Sequence, residues 1–398
     1  MNVKEISDGI FYVGVNDRTT GRFEAMWPLP YGVSYNSYLV IGEKCALIDS
    51  VEIECCGALI DHLKEAHDGH PIDYLVINHM EPDHSGSIPV LLNRYPGMRL
   101  VCNSISKQQI KGFYHIEDDE RFVVVADGDT LDLGGKTLRF FTTPMVHWPE
   151  TMMTWCEEAG VLFTGDAFGC YGALNGFVTD DEMTDDERRL YLEEMYRYYS
   201  NIVAKYAKFV QRAIAKVGSL PFKYICSTHG PVWHEMIPDV VAVYDRLSRW
   251  EGEDGAVIVF GTMYGHTSEL VDEICKALRR NGIHRISVMN ANKEELSYII
   301  SDCVRYKTVI IGSPTYSMDI FPPVAALVRA LAVRETQNKV VGTFGSFTWA
   351  NGSLPKLNEA FEGMKLAPVA QLAMKQAYSP ADDKQIEEFA KALAEASK

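Results

Sequence analysis

Apolar positions follow two different rhythms in the two halves of the chain. In the first half, short apolar runs alternate with turn residues. "YNSYLVIG" and "CALIDS" within 35–50 predict paired strands, "IDHLKEAHDG" (60–69) a helix, "YLVINH" (74–79) a buried strand, and "SGSIPVLLNRYPG" a helix and a turn. "RLVCNS", the run from "RFVVVADGD" to "TPMVH", "MMTWCEEAGVLFTGD" and "YICSTHG" supply more strands. Residues 186–217 space their apolar side chains by three and four, which predicts one long helix. Many strands and few helices predict sheets packed together with helices outside.

The second half reads strand, helix, strand, helix, strand, helix. "AVIVF", "RISVMNA", "TVIIGSP" and "KVVGTFGSF" are continuous or nearly continuous apolar runs. Each is followed by a helical pattern, and "DDKQIEEFAKALAEA" closes the chain. Buried parallel strands with crossover helices are the expected solution. The most polar break is "RWEGEDGAVIVF" (249–260), where Gly252 and Gly255 flank acidic residues. This gives two expected domains, 1–251 and 255–398.

Composition narrows the function classes. The 398 residues are 47% hydrophobic and 23% charged, the profile of a globular protein with full cores. A net charge of −16 disfavours binding to a nucleic-acid backbone. No stretch approaches the ~18 apolar residues of a membrane helix, and "MNVKEISDGIFYVGV" lacks the layout of a signal peptide. The expectation is therefore a cytoplasmic protein. Nine cysteines without a C-x-x-C pair predict reduced, mostly buried thiols.

Candidate chemistry gathers where apolar runs end. "YLVINH" leads into His79, Glu81, Asp83 and His84. His147 closes "LRFFTTPMVH", Asp166 closes "VLFTGD" and His229 closes "YICSTH". Four imidazoles and three carboxylates are too many for one tetrahedral zinc. They suit two metals, each with two histidines and a carboxylate, and one carboxylate shared. Two divalent ions, three carboxylates and one bridging hydroxide would balance to neutrality, which matters in a low-dielectric cavity. His79-x-Glu81-x-Asp83-His84 resembles the H-x-H-x-D-H signature of the metallo-β-lactamase superfamily, with Glu in place of the second His. That exchange hardens the site and makes it more anionic, which favours non-haem iron and redox chemistry over zinc hydrolysis.

In the second half, "VIVFGTMYGHTSELV" joins a strand to a helix through a loop offering Thr262, Thr267 and Ser268, an anion site built without cations. It resembles the flavodoxin loop T-x-T-G-N-T, with His266 where Asn is usual. "GSPTYSMDIFPP" offers Tyr316, and "GTFGSFTWANG" offers Phe347 and Trp349, aromatics able to sandwich a flat ring.

Together the two motifs resemble the flavodiiron protein family over nearly the whole chain. The resemblance implies an N-terminal metallo-β-lactamase-like αββα sandwich, an α+β domain. It also implies a C-terminal flavodoxin-like α/β domain with a doubly wound parallel sheet. It implies two irons. His79, Glu81 and His147 would bind one, Asp83, His84 and His229 the other, and Asp166 would bridge. FMN would sit on Thr262, Met263, Tyr264, Gly265, His266 and Thr267, on Ser313, Pro314, Thr315 and Tyr316, and on Gly345, Ser346, Phe347, Thr348, Trp349, Ala350, Asn351 and Gly352. The implied activity is reduction of O2 to water, of NO to N2O, or both. The donor would be a separate protein or carrier such as rubredoxin, a flavin reductase or reduced deazaflavin. The assembly would be a head-to-tail homodimer or a dimer of dimers. Some relatives carry a histidine in the N-terminal loop, but "RFEAMWPLPYG" (22–32) has none. Tyr199, Trp148 and Trp27 are candidates for the pocket wall. Two rival readings remain at this stage: a dizinc hydrolase fused to a flavodoxin module, and an electron carrier with a degenerate first domain.

Overall fold

The structure is a computed structural model that describes residues 3–68 and 70–398. The chain divides into two compact units, Met1–Asp245 and Arg246–Lys398. The division falls inside the helix Ile237–Ser248, ahead of the glycine-flanked stretch at 252–255. Within the second unit, Arg246 pairs with Glu253 at 2.8 Å.

In the first unit, a seven-stranded sheet faces a five-stranded sheet. The Tyr38 ring lies 5.3 Å from that of Phe163 across the interface, and its hydroxyl donates to the Ser227 carbonyl at 2.6 Å. Tyr38–Ile41 and Cys45–Ile48 form the expected antiparallel pair, and Cys45–Ile48 runs parallel to Tyr74–Val76. In the second sheet, Thr137–Thr142 and Val161–Gly165 are both antiparallel to Met152–Cys156, and Tyr224–Ser227 is parallel to Val161–Gly165. Three strands therefore deliver their carboxyl ends to one edge.

The long helix expected over 186–217 is interrupted. An α-helix over Asp185–Tyr198, capped by Thr184 and Glu187, gives way to a π-turn at Tyr199–Val203 and a 3₁₀ turn at Ala204–Tyr206. A second α-helix, Ala207–Val217, follows. Side chains compete with the helical ladder at the break. Ser200 Oγ donates to the Tyr196 carbonyl at 2.6 Å, and Asn201 Nδ2 donates to the Arg197 carbonyl at 2.8 Å. The helix Ser104–Tyr114 was not anticipated, because its few apolar residues make only a narrow stripe.

The second unit holds five parallel strands in the spatial order Ile286–Asn290, Glu253–Phe260, Tyr306–Tyr316, Val340–Phe347, Ala370–Lys375. The first strand in sequence lies between the second and third, which creates a switch point at the carboxyl ends of Glu253–Phe260 and Tyr306–Tyr316. The fifth strand escaped the sequence reading because it is an edge strand. Its residues alternate between buried and exposed instead of forming an apolar run. Nine free cysteines occur, and all are buried except the half-buried Cys55 and Cys275. Among the described residues, no helix is long and apolar enough to cross a membrane.

Lys339 ties the base of this sheet together by donating to the Val304 and Tyr306 carbonyls at 2.6 and 2.9 Å. Burial pushes its ammonium down from 10.5 to about 7; nearby Arg246 adds to the effect and Cys303 opposes it. Between those values the unfolded chain keeps a proton that the folded chain has released, so stability rises with pH. Below about 7 both forms hold the proton and the dependence disappears. Guanidinium unfolding should show stability climbing from pH 7 to pH 9, by at most about 1.4 kcal/mol per pH unit from this group. Lys339→Met should remove that part of the rise.

Candidate functional site

The strand Tyr74–Val76 ends just before the loop that carries the first four candidate ligands. The end of the neighbouring strand grips this loop at two places. Asp49, at φ 53°, accepts from Asn78 N at 2.7 Å and Asn78 Nδ2 at 3.0 Å. Ser50 donates through N and Oγ to the His84 carbonyl at 2.9 and 2.5 Å. Pro82 opens the single turn Pro82–Ser85, which presents Asp83 and His84. Asp166 follows directly on Val161–Gly165, and His229 stands just past Tyr224–Ser227. Gly230, at φ 81°, lets the chain pass against Cys170, whose sulfur any Cβ would strike.

All seven candidate ligands meet in one buried cluster, in two groups: His79, Glu81, His147 and Asp166, and Asp83, His84 and His229. Asp166 spans both. Its Oδ2 lies 3.0 Å from His147 Nε2 and 3.5 Å from His79 Nε2, while its Oδ1 lies 3.0 Å from His84 Nε2 and 3.8 Å from His229 Nε2. Glu81 Oε2 stands 3.0 Å from His147 Nε2 and 3.4 Å from His79 Nε2. Asp83 reaches His84 at 3.4 Å and His229 at 3.3 Å.

The donors are aimed but unsatisfied. His79 Nε2, both Asp83 oxygens, both His84 nitrogens, Asp166 Oδ2 and His229 Nε2 are buried with no hydrogen-bond partner. Orphaned lone pairs in such number are costly unless a cation takes them. The titration behaviour carries the same message. Burial favours neutral imidazoles, yet Asp83 and Asp166 raise His84 to about 9, and Asp166 and Glu81 raise His147 to about 9. Burial would also raise the Asp166 and Glu81 carboxyls, but the imidazoles hold both below the usual range. Protons thus stand where the field calls for metal, and the residues fit a pair of divalent ions with Asp166 between them.

The surroundings add residues that sequence reasoning did not identify. Phe23 and Tyr35 pack edge-on to the His229 ring at 5.1 and 5.8 Å. Tyr198, and not Tyr199, faces the site: its ring lies 5.6 Å from His229, whereas Tyr199 packs on Tyr244. Trp148 stands edge-on to His79 at 5.3 Å, and Trp27 Nε1 donates to Glu24 Oε2 at 3.0 Å. Glu24 occupies the N-terminal loop that lacks a histidine. Burial first and the Glu81 carboxylate second push it up to about 7. An acidic cavity of 430 Å³, lined by Glu24, Glu52, Glu54, Glu81 and Asp83 among others, opens on the ligands. Glu150, whose Oε1 lies 2.8 Å from His79 Nδ1, had a faint signal, its place three residues after His147. Glu24 had none.

In the second unit, a 340 Å³ cavity opens at the carboxyl ends of the parallel strands. Its lining includes Thr262, Met263, Tyr264, His266, Thr267, Pro314, Thr315, Tyr316, Ser346, Phe347, Thr348, Trp349 and Ala350. Ser317 and Gln376 also line it and were not anticipated. Gly265, Ser313, Gly345, Asn351 and Gly352 do not line the cavity. Gly265 makes the turn at φ 99°, Ser313 Oγ accepts from Phe321 N, and Asn351 caps the next helix through Leu354 N. Tyr264 and Trp349 are 89% and 86% exposed, which is unusual for such large rings unless something flat covers them. Thr262, Thr267 and the N-terminus of the helix His266–Arg280 offer an uncharged phosphate cradle.

Comparison with known proteins decides the family. Residues 33–230 match the family described as ODP family beta lactamase, and residues 258–390 match flavodoxin. The nitric oxide reductase of Moorella thermoacetica is 30% identical over 92% of this chain and 91% of that protein. The anaerobic nitric oxide reductase flavorubredoxin of Escherichia coli is 32% identical over 89% of this chain and 74% of its own length. The solved structure of rubredoxin oxygen:oxidoreductase from Desulfovibrio gigas superposes with a TM-score of 0.93. It is 30% identical and covers 99% of this chain and 98% of that one. The chain belongs to the flavodiiron protein family. Flavodiiron membership makes it an oxidoreductase, with a flavin module and a metal module in one polypeptide.

Asp166 links the two ligand groups, and the flavin cavity draws on separate residues of the other unit. Asp166→Ala should therefore abolish stoichiometric metal binding and leave flavin content unchanged. Elemental analysis and flavin absorbance on one sample check both.

Proposed function

We propose that the chain is a cytoplasmic flavodiiron reductase that converts NO to N2O, O2 to water, or both, at a pair of irons held by His79, Glu81, Asp83, His84, His147, Asp166 and His229. FMN bound at residues 262–267, 313–316 and 345–352 would relay electrons from a separate donor such as rubredoxin, a flavin reductase or reduced deazaflavin. The working assembly is a head-to-tail homodimer or a dimer of dimers. The observation that carries this reading is the split of Asp166, one oxygen toward each histidine group, beside Glu81 at a position where a second His would suit zinc.

Bound there, a diiron pair would supply electrons and Lewis acidity to a diatomic substrate. The chain's own residues do the rest. Asp166 would keep the two ions close, so that two small ligands could meet in one orientation without a diffusive encounter. Phe23, Tyr35 and Trp148 set their rings edge-on against the histidines. The Tyr198 hydroxyl is fully buried with no hydrogen-bond partner. Burial, and Asp166 next, hold its phenol well above the ordinary value, so it stays a proton-bearing donor that a substrate oxygen could accept from.

Protein purified anaerobically should contain about two irons and one FMN per chain; zinc in both metal positions would overturn the reading. Stopped-flow mixing of the fully reduced enzyme with NO and with O2, in separate runs, should give turnover with at least one gas. Tyr198→Phe should retain iron and FMN and lower the turnover rate on the order of 10-fold, the value of one lost hydrogen bond.

A further inference from the structure

His79, His84 and His229 of the cluster are backed unequally. His79 Nδ1 lies 2.8 Å from Glu150 Oε1, and neither side chain has any exposed surface. The same oxygen accepts from Met80 N at 3.0 Å, and Oε2 accepts from Gln109 Nε2 at 3.4 Å. The Glu150 carbonyl accepts from Asn103 Nδ2, at the head of the helix Ser104–Tyr114. The carboxylate is therefore held from several sides and aimed at one ring nitrogen. In the other group, His229 Nδ1 meets only the neutral Ser34 carbonyl at 2.8 Å, and His84 Nδ1 has no partner.

We infer that Glu150 is a positioning residue for one of the two metals. It keeps the His79 proton on Nδ1, leaves Nε2 bare toward the ion, and through a charge-assisted hydrogen bond makes His79 the stronger donor. A carboxylate behind an imidazole fixes the ring's tautomer and orientation and raises its basicity, and losing it typically weakens metal binding by about 10–100-fold. The two ions then sit in unequal sites although each group offers two histidines and a carboxylate. The inference rests on the metal-binding reading above and adds to it the residue that makes the sites differ.

The test uses zinc as a silent probe on the full-length chain, titrated against a chromophoric chelator. Wild type should take up two ions. Glu150→Gln, nearly the same size, should weaken one ion by roughly 10–100-fold and leave the other unchanged. Glu150→Asp, which keeps the charge on a shorter arm, should fall between them. If Glu150 only packs the loop, the order reverses and Gln outperforms Asp, which would overturn the inference. Equal weakening of both ions, or of neither, would overturn it too. Failure of wild type to bind two ions would instead sink the metal reading itself. A measurement free of variants stands beside these: in the zinc-loaded wild type, 15N-labelled at histidine, His79 should carry its proton on Nδ1. A proton on Nε2 ends the proposal.

Discussion

Negative charge removed from water dominates the first unit. Asp166 is 1% exposed, Glu81 and Asp83 are 8% exposed, and the imidazoles around them leave most of their metal-facing atoms without partners. A buried carboxylate is tolerable only when a counter-charge is held at short range. The fields of these carboxylates push His84 and His147 upward and so favour positive charge beside them. Two divalent cations would supply that charge, because each can draw on several lone pairs at once and release the imidazole protons. The geometry of the loops follows from that demand. Asp49 and Ser50 fix one loop at both ends, Thr228 Oγ1 holds Asp166 Oδ1 at 2.6 Å, and Ser34 and Glu150 orient two of the rings.

The sheet architecture makes such a gathering possible. Strands that share a direction end on a shared edge, and a loop beginning there can turn one side chain inward without leaving backbone groups unpaired in the core. Thr137–Thr142, Val161–Gly165 and Tyr224–Ser227 each contribute one candidate ligand by this route, and the facing sheet adds four from the single loop after Tyr74–Val76. One of those four is Glu81. Its carboxylate reaches two imidazoles at once, which makes the group around it more anionic than a third histidine would.

The clustered candidates were legible in the sequence because four apolar runs end at or just before them, and a polar ligand type at such a border is easy to notice. The loops that line the second unit's cavity were legible for the same reason. Residues that act from behind or above the site were not. Glu24 sits in an irregular loop at φ 48°, and nothing local marks it. Glu150 belongs to a turn whose importance depends on a contact seventy-one residues back along the chain. Tyr198 and Tyr199 are adjacent on what reads as an unbroken helix. Tyr198 closes the first α-helix and faces His229, while Tyr199 opens the π-turn and packs on Tyr244, a choice that apolar spacing alone does not encode. The edge strand Ala370–Lys375 was hidden because its alternation differs from the continuous apolar runs of its buried neighbours.

The two units answer opposite electrostatic problems. The metal cluster concentrates carboxylates and needs cations. The flavin cavity must accept a phosphate in a chain whose net charge is −16, yet among the described residues His266 is the only basic one in its lining. Hydroxyls and backbone N–H groups at a helix N-terminus solve this without a fixed positive charge. Thr267 Oγ1 already sits 2.9 Å from Ser346 Oγ, so two of the loops meet through neutral groups. A neutral cradle holds its anion through directed hydrogen bonds, which makes its affinity depend on loop shape more than on ionic strength. The metal site depends on charge balance and the flavin site on hydrogen-bond direction. A substitution that disturbs one balance therefore leaves the other cofactor's binding terms untouched.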